Sequence, residues 1–137
     1  MSIINAIDVS ASGMSAQSTR LNTIASNLAN AESVSSSEAE AFRAKLPLFE
    51  SHRVNPSDPG LGVRVTEIVE SKAPPTAVYS PNHPLADPNG YVYKSNVNTV
   101  EQMADMMSAQ RSFEANVEVL KASKSLAEAT IRAMGAK

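Results

Sequence analysis

Proline distribution constrains this chain more than any other feature. All eight prolines lie between Pro47 and Pro88, and neither flank contains one. Proline removes a helical donor and clashes with the preceding turn. Two long arms free of that block therefore flank a short irregular middle. Five of the six aromatic residues also fall in the middle, between Phe42 and Tyr93.

The first arm reads as a helix from about residue 3 to 31. Alternating steps of three and four link Ile4, Ile7, Ala11, Met14, Ser18, Leu21, Ala25 and Leu28, a heptad seam rather than a broad globular face. Gly13 interrupts the seam at a cost of about 1 kcal/mol relative to alanine. The expected end is Asn27-Leu28-Ala29-Asn30-Ala31, because Asn tolerates the left-handed conformation that often closes a helix. The arm carries only Asp8 and Arg20 as charges, and charge depletion marks the core of an interface. A weakly stable, Ser-rich arm is the alternative reading.

The second arm reads as a helix from about 99 to 134, opened by a capping box from Asn98 with Glu101 or Thr99 with Gln102. Its seam is Met103, Met106, Gln110, Phe113, Val117, Leu120, Lys124, Ala127, Ile131 and Met134. Gln110 and Lys124 are the polar seam positions that fix register in coiled coils. Gly135 is the stop signal. At 1.5 Å per residue the two arms span roughly 43 and 54 Å. A compact chain of this length has a radius of gyration of about 14 Å, so the sequence implies an elongated rod bearing a knob.

The expected fold is therefore mainly α with a small β unit. Long N- and C-terminal helices (1–33 and 98–137) pair as a coiled coil. Between them, residues 34–97 form a linker and a short, mostly antiparallel β domain. Strand candidates are 42–46, 63–66, 76–79 and 91–93, with a polar linker at 32–38 and a type I turn at Asp87-Pro88-Asn89-Gly90.

Nothing in the sequence converges on chemistry. The net charge of −2 gives no footprint for nucleic acid, and the absence of cysteine excludes thiolate metal sites and thiol nucleophiles. His52 and His83 lack partners at metal-ligand spacing and read as surface histidines. Glu38 and Glu40 read as a solvated pair, and Gly60-Leu61-Gly62 as a weak turn signal. Met103, Met106 and Met107 read as helix packing rather than a promiscuous groove. No apolar run is long enough to span a bilayer. The N-terminus has neither a basic nor an apolar signal region. No catalysis, metal, cofactor or small-molecule substrate is expected.

Two segments carry a resemblance. Residues 12–31, Ser12-Gly13-Met14 through Leu28-Ala29-Asn30-Ala31, resemble the N-terminal signature of bacterial flagellar axial proteins (rod, hook and hook-associated). Residues 95–116, Ser95-Asn96-Val97-Asn98 through Phe113-Glu114-Ala115-Asn116, resemble their C-terminal signature. Phe42 through Glu50 and Asn89 through Asn98 are similar to proximal rod members. The resemblance implies a structural subunit of the basal-body drive shaft that transmits torque to the hook and filament. Its implied partners are copies of itself, other proximal and distal rod proteins, the MS-ring/rod adaptor, and the type III export apparatus during secretion. It also implies export of an unfolded chain without a cleaved signal, and assembly in the periplasm. The alternatives are a rod subunit of another tier, or a soluble coiled-coil adaptor or export chaperone. On the rod-subunit reading, the candidate assembly interface is Ile4, Ile7, Ala11, Met14, Leu21, Ala25 and Leu28 of the first helix with Met103, Met106, Gln110, Phe113, Val117, Leu120, Lys124, Ile131 and Met134 of the second.

Ordering a long helix costs about 1–2 kcal/mol per residue in backbone entropy, and seam residues return that only when buried. The isolated chain is thus expected to show clearly less helix by circular dichroism than the 65 or so residues read here. A fully helical, sharply melting monomer would contradict this.

Overall fold

The computed structural model describes residues 3–54 and 60–135. The elements are α1 (Ile3–Ala29), β1 (Val34–Ser35), β2 (Lys45–Arg53), β3 (Leu61–Glu70), β4 (Thr76–Tyr79), β5 (Tyr91–Lys94) and α2 (Thr99–Gly135). All strand pairs are antiparallel: β2 with β3 in one two-stranded ribbon, and β1-β5-β4 in a small second sheet. The two helices run antiparallel, because Asn27 meets Gln102 at one end while Gly13 faces Asn116 further along.

α1 runs through Gly13 without a break. The glycine suits a close helix crossing, since a Cβ there would lie 2.9 Å from the Asn116 amide nitrogen. The helix does not close on a left-handed Asn30, and no described non-glycine residue has positive φ. It tightens instead through short turns: Asn30 N donates to both Ser26 O and Asn27 O, and Ala31 N donates to Leu28 O, all at 3.2 Å. α2 opens on Asn98, whose Oδ1 accepts from Val100 N at 3.0 Å and Glu101 N at 3.3 Å. The Thr99–Gln102 box does not form, because Gln102 bonds to Asn27 instead.

The middle departs from a single knob. β2 begins at Lys45 rather than Phe42, because the Asn27 side chain holds the Lys45 backbone. Asn27 Oδ1 accepts from Lys45 N at 2.8 Å, and Asn27 Nδ2 donates to Lys45 O at 2.9 Å. From there β2 and β3 run beside α1 as far as Gly60 and Asn5. Nine strand residues reach about 30 Å, and the stretch of α1 from Asn27 to Asn5 spans about 33 Å. Gly60 and Gly62 are not a turn but the close approach of β3 to the helix. A Cβ on Gly62 would lie 2.7 Å from Ser12 Oγ, and one on Gly60 would collide with the Asn5 amide. Ser12 Oγ also accepts from Val63 N at 3.1 Å.

The expected polar linker contains β1, which pairs Val34 with Lys94 and Ser35 with Tyr93 and closes the small sheet beside the start of α2. The 87–90 turn forms: Gly90 N donates to Asp87 O at 2.9 Å, and Asp87 Oδ1 accepts from Asn89 N and Tyr91 N at 2.8 Å. Gly90 has a φ of 83°, which only glycine adopts without strain.

Asn27 joins α1, β2 and α2 through one buried side chain. Replacing it with alanine leaves Gln102 Oε1, which is buried, and the part-buried Lys45 N and Lys45 O without their partner. Each such loss costs about 1–3 kcal/mol. Asn27→Ala is expected to lower the stability measured by urea unfolding by about 2–4 kcal/mol.

Candidate assembly surface

Rows of residues seven apart divide α1 into faces. The row Ser12, Thr19 and Ser26 looks onto the β2–β3 ribbon, with His52, Val63, Val65 and Ile68 across from it. The row Gly13, Arg20 and Asn27 meets α2, where Arg20 pairs with Asp105 at 2.9 Å and Asn27 with Gln102 at 2.9 Å. One residue further round, the row Ile7, Met14, Leu21 and Leu28 must lie on the flank opposite the ribbon. These four are half-buried. The row Ile4, Ala11, Ser18 and Ala25 is exposed.

The polarity is inverted relative to an ordinary surface helix. The residues α1 buries within the chain are Asn5, Ser10, Ala16, Thr23, Ile24 and Asn27, of which only Ile24 is a large apolar side chain. The hydroxyls tolerate burial because they bond back into their own helix: Ser10 Oγ donates to Ala6 O at 2.8 Å and Thr23 Oγ1 to Thr19 O at 2.9 Å. Asn5 and Gln17 retain buried polar atoms without a hydrogen-bond partner among the described residues. Of the larger apolar residues of α1, Ile7, Met14, Leu21 and Leu28 are only half-buried at the edge of these contacts, and Ile4 is exposed.

On α2, the fully buried residues are Gln102 and Ala109. The helix contact is therefore centred on the row Gln102, Ala109 and Asn116, one residue earlier than the seam read from sequence. Met106, Phe113, Val117, Leu120 and Ala127 remain half-buried beside it, while Met103, Gln110, Lys124, Ile131 and Met134 are exposed. Gln110 and Lys124 thus do not set the register of this pair; Gln102 does. The row Met103, Gln110 and Val117 lies on the same flank as Met14 and Leu21, because both follow their contact rows by one residue on antiparallel helices. Ile7, Met14, Leu21 and Leu28 of the first seam and Met103, Gln110 and Val117 of the second therefore lie on one flank of the helix pair.

Sequence reasoning missed Asn27, Gln102, Ser12 and Asn116 as contact residues. The first two were legible only as helix caps, since nothing local reveals a partner 75 residues away. His52 is half-buried at the ribbon rather than on the open surface, and His83 Nδ1 accepts from Leu85 N at 3.1 Å. Neither belongs to a group of metal-ligating residues among those described. Lys94 bonds to Glu32 at 2.8 Å and holds its carboxyl below the usual carboxylate range.

The molecule exposes 8870 Å², against about 6,900 Å² for a compact monomer of this length. That excess, with Ile4, Met103, Ile131 and Met134 more than half exposed, leaves on the order of 10 kcal/mol of burial free energy unrealised. Because Ala11 is exposed, Ala11→Arg is expected to change the stability measured by urea unfolding by less than about 0.5 kcal/mol. Ile24→Ala, inside the contact, should cost about 2–4 kcal/mol.

Residues 7–34 match the family described as flagella basal body rod protein, and residues 89–133 match the flagellar basal body rod FlgEFG protein C-terminal family. The chain is 46% identical over 126 residues to the flagellar basal-body rod protein FlgC of Salmonella typhimurium, covering 92% of this chain and 93% of that one. It is 44% identical over 136 residues to the FlgC of Aquifex aeolicus, covering 97% and 98%. With the FlgC of Buchnera aphidicola subsp. Schizaphis graminum it shares 42% identity over 133 residues, covering 96% and 97%.

Proposed function

The chain belongs to the flagellar basal-body rod protein family, and we propose that it is a structural subunit of the rod in the flagellar basal body, seated in its proximal part. It works by packing, without a catalytic role, and its partners are copies of itself and other rod and basal-body proteins. The flank carrying Ile7, Met14, Leu21, Leu28, Met106, Phe113 and Val117, together with the exposed row Ile4, Ala11 and Ala25, is its assembly surface. There the helix pair of one subunit packs in coiled-coil fashion against helices of its neighbours. The β region between the helices forms the outer part of the subunit. Export of the unfolded chain through the flagellar type III apparatus, and assembly in the periplasm, complete this reading.

The observation that carries the proposal is the inverted polarity of α1. A helix that buries mostly small polar residues within its own chain, and leaves its larger apolar residues half-buried or exposed, is built to be covered further by other molecules. Torque passes through such a subunit as shear across its contacts, so their number and closeness matter more than any single group.

The test uses Ala11→Arg in cells lacking the native chain. The variant should fold and be exported at normal levels yet fail to support swimming, because a long cation cannot enter a contact shaped for a methyl group. Glu118→Gln, which removes only an exposed pair with Lys121, should swim normally. Normal swimming with Ala11→Arg would remove this face from the assembly.

A further inference from the structure

All three tyrosines of the chain lie on one face of the small sheet. Tyr79 pairs directly with Tyr91, and Ala77 with Tyr93; directly paired residues share a face, as do residues two apart along a strand. The opposite face carries Val92, which is 3% exposed, whereas Tyr79 and Tyr91 are 65% and 40% exposed. Their rings meet edge to face with centroids 5.3 Å apart. Gly90 lets the Tyr79 ring close against the turn, since a Cβ there would lie 2.9 Å from it. Tyr79 is thus held in place while most of its surface stays open. Tyrosine is a side chain that protein interfaces favour and surfaces do not.

The same strand offers free backbone. Ser80 N donates to Gly90 O at 2.8 Å, which sets the alternation of the antiparallel ladder. Thr76 and Val78 bond to β5, and Ala77 and Tyr79 turn their N–H and C=O groups to the outer edge of β4. Tyr91, opposite Tyr79, turns away from β4 in the same way: its N donates to Asp87 Oδ1 and its O accepts from Asp87 N, both at 2.8 Å. Elsewhere strand edges are partly covered or blunted. Ser12 takes Val63 N, Asn27 takes Lys45, and Pro47 interrupts β2. Within Thr76-Ala77-Val78-Tyr79 there is no charge, proline or bulge, the devices that keep an edge from pairing. Pro75 and Pro81 bound this edge, so a partner strand must be short.

The face also selects charge. A side chain opposite Ala77 on an added strand crosses only a methyl group to reach Tyr93, whose Oη lies 3.4 Å from Asp87 Oδ2. Neither β4 nor β5 places a Lys or Arg on this face: Lys94 belongs to the other one, where it bonds to Glu32. Glu38 is already paired with Arg43 at 3.7 Å. Asp87 is held by hydrogen bonds, without a cationic partner among the described residues. Tyrosine rings and an unneutralised carboxylate both favour a cation.

We propose, building on the rod-subunit reading, that an extended segment of a different protein adds to the outer edge of β4 as a fourth strand, with an arginine or lysine on the tyrosine face opposite Ala77. Main-chain bonds at Ala77 and Tyr79 supply the affinity, and the cation supplies the selectivity.

Hydrogen exchange on purified basal bodies reads the edge directly. The outward amides of Ala77 and Tyr79 should be as slow as the ladder amide of Val78; fast exchange at both overturns the proposal. The sign of the charge is tested in particles from cells lacking the native chain. Ala77→Lys sets a like charge in the path of the cation and should speed exchange at Tyr79 by about tenfold or more, or keep the chain out of the particles, while Ala77→Glu leaves Tyr79 protected. Equal effects of the two substitutions overturn the basic partner. Tyr79→p-benzoylphenylalanine should crosslink on irradiation to a different chain, through a segment containing Arg or Lys. An adduct of two copies of this chain overturns the proposal. Failure of the rod-subunit reading would look different: the unmodified chain would be missing from the particles, and both readings would fall.

Discussion

One side-chain amide holds the three parts of this molecule in register. Asn27 uses its carbonyl and one N–H on the backbone of Lys45, much as a neighbouring strand would, and its second N–H on Gln102. At that point the end of α1, the start of β2 and the start of α2 converge. Everything further along follows from this register. The ribbon reaches Ser12 at Val63, and the antiparallel helices reach Gly13 at Asn116. A buried amide is well suited to the task because its donors and acceptor are fixed in one plane. A displaced register would leave them unpaired in a site only 1% exposed.

The interior that this amide organises is thin. The buried side chains are mostly alanine, serine, threonine and asparagine, with Ile24 and Val92 the largest apolar ones. Small side chains let the elements approach closely, and their hydroxyls are satisfied within the helix. They return little burial free energy, however, and Asn5 and Gln17 add buried polar atoms that find no partner among the described residues. The larger apolar residues of the two helices are mostly only half-buried or exposed. The folded monomer is consequently a template whose own contacts define geometry, while most of the available stabilisation lies between molecules.

Much of this was legible in the sequence. The proline-free arms became helices close to their expected bounds, because a long periodic segment without breakers has few competing structures. The 76–79 and 91–94 strands appeared where β-branched and aromatic residues cluster between turn signals. What local pattern could not supply was the rotation of each helix about its axis. The three-four spacing of Ile7, Met14 and Leu21 identifies an apolar face but not its partner, and the face used within the chain is the polar one beside it. Ordinary amphipathic logic assigns the apolar stripe to the chain's own core. Here that logic holds only in part, because the most deeply buried residues are the mostly polar ones beside the stripe, and the stripe itself is half-buried. The start of β2 was missed for a related reason: Phe42-Arg43-Ala44 alternates as a strand does, but Ala44 N is taken by the Asn96 side chain at 2.7 Å, and the ladder begins only where Asn27 holds Lys45.

The composition of the exposed α1 row sets how strongly subunits can attract one another. Apart from Ile4 at its end, the row is Ala11, Ser18 and Ala25, neighboured by Asp8, Ser15 and Asn22. Each methyl group buries little area, so a single contact between two free subunits along this row is weak at about 25 cal/mol per Å². A row of leucines would make every encounter productive and expose a patch of the size that aggregates. With small residues, association becomes favourable only when several neighbours are engaged together and each further contact forms at high effective concentration. Close approach then gives many short contacts over a long helix, and these resist shear better than a few large side chains would. The same residue choice that leaves the isolated chain marginal confines its stable state to a place where neighbouring subunits are already present.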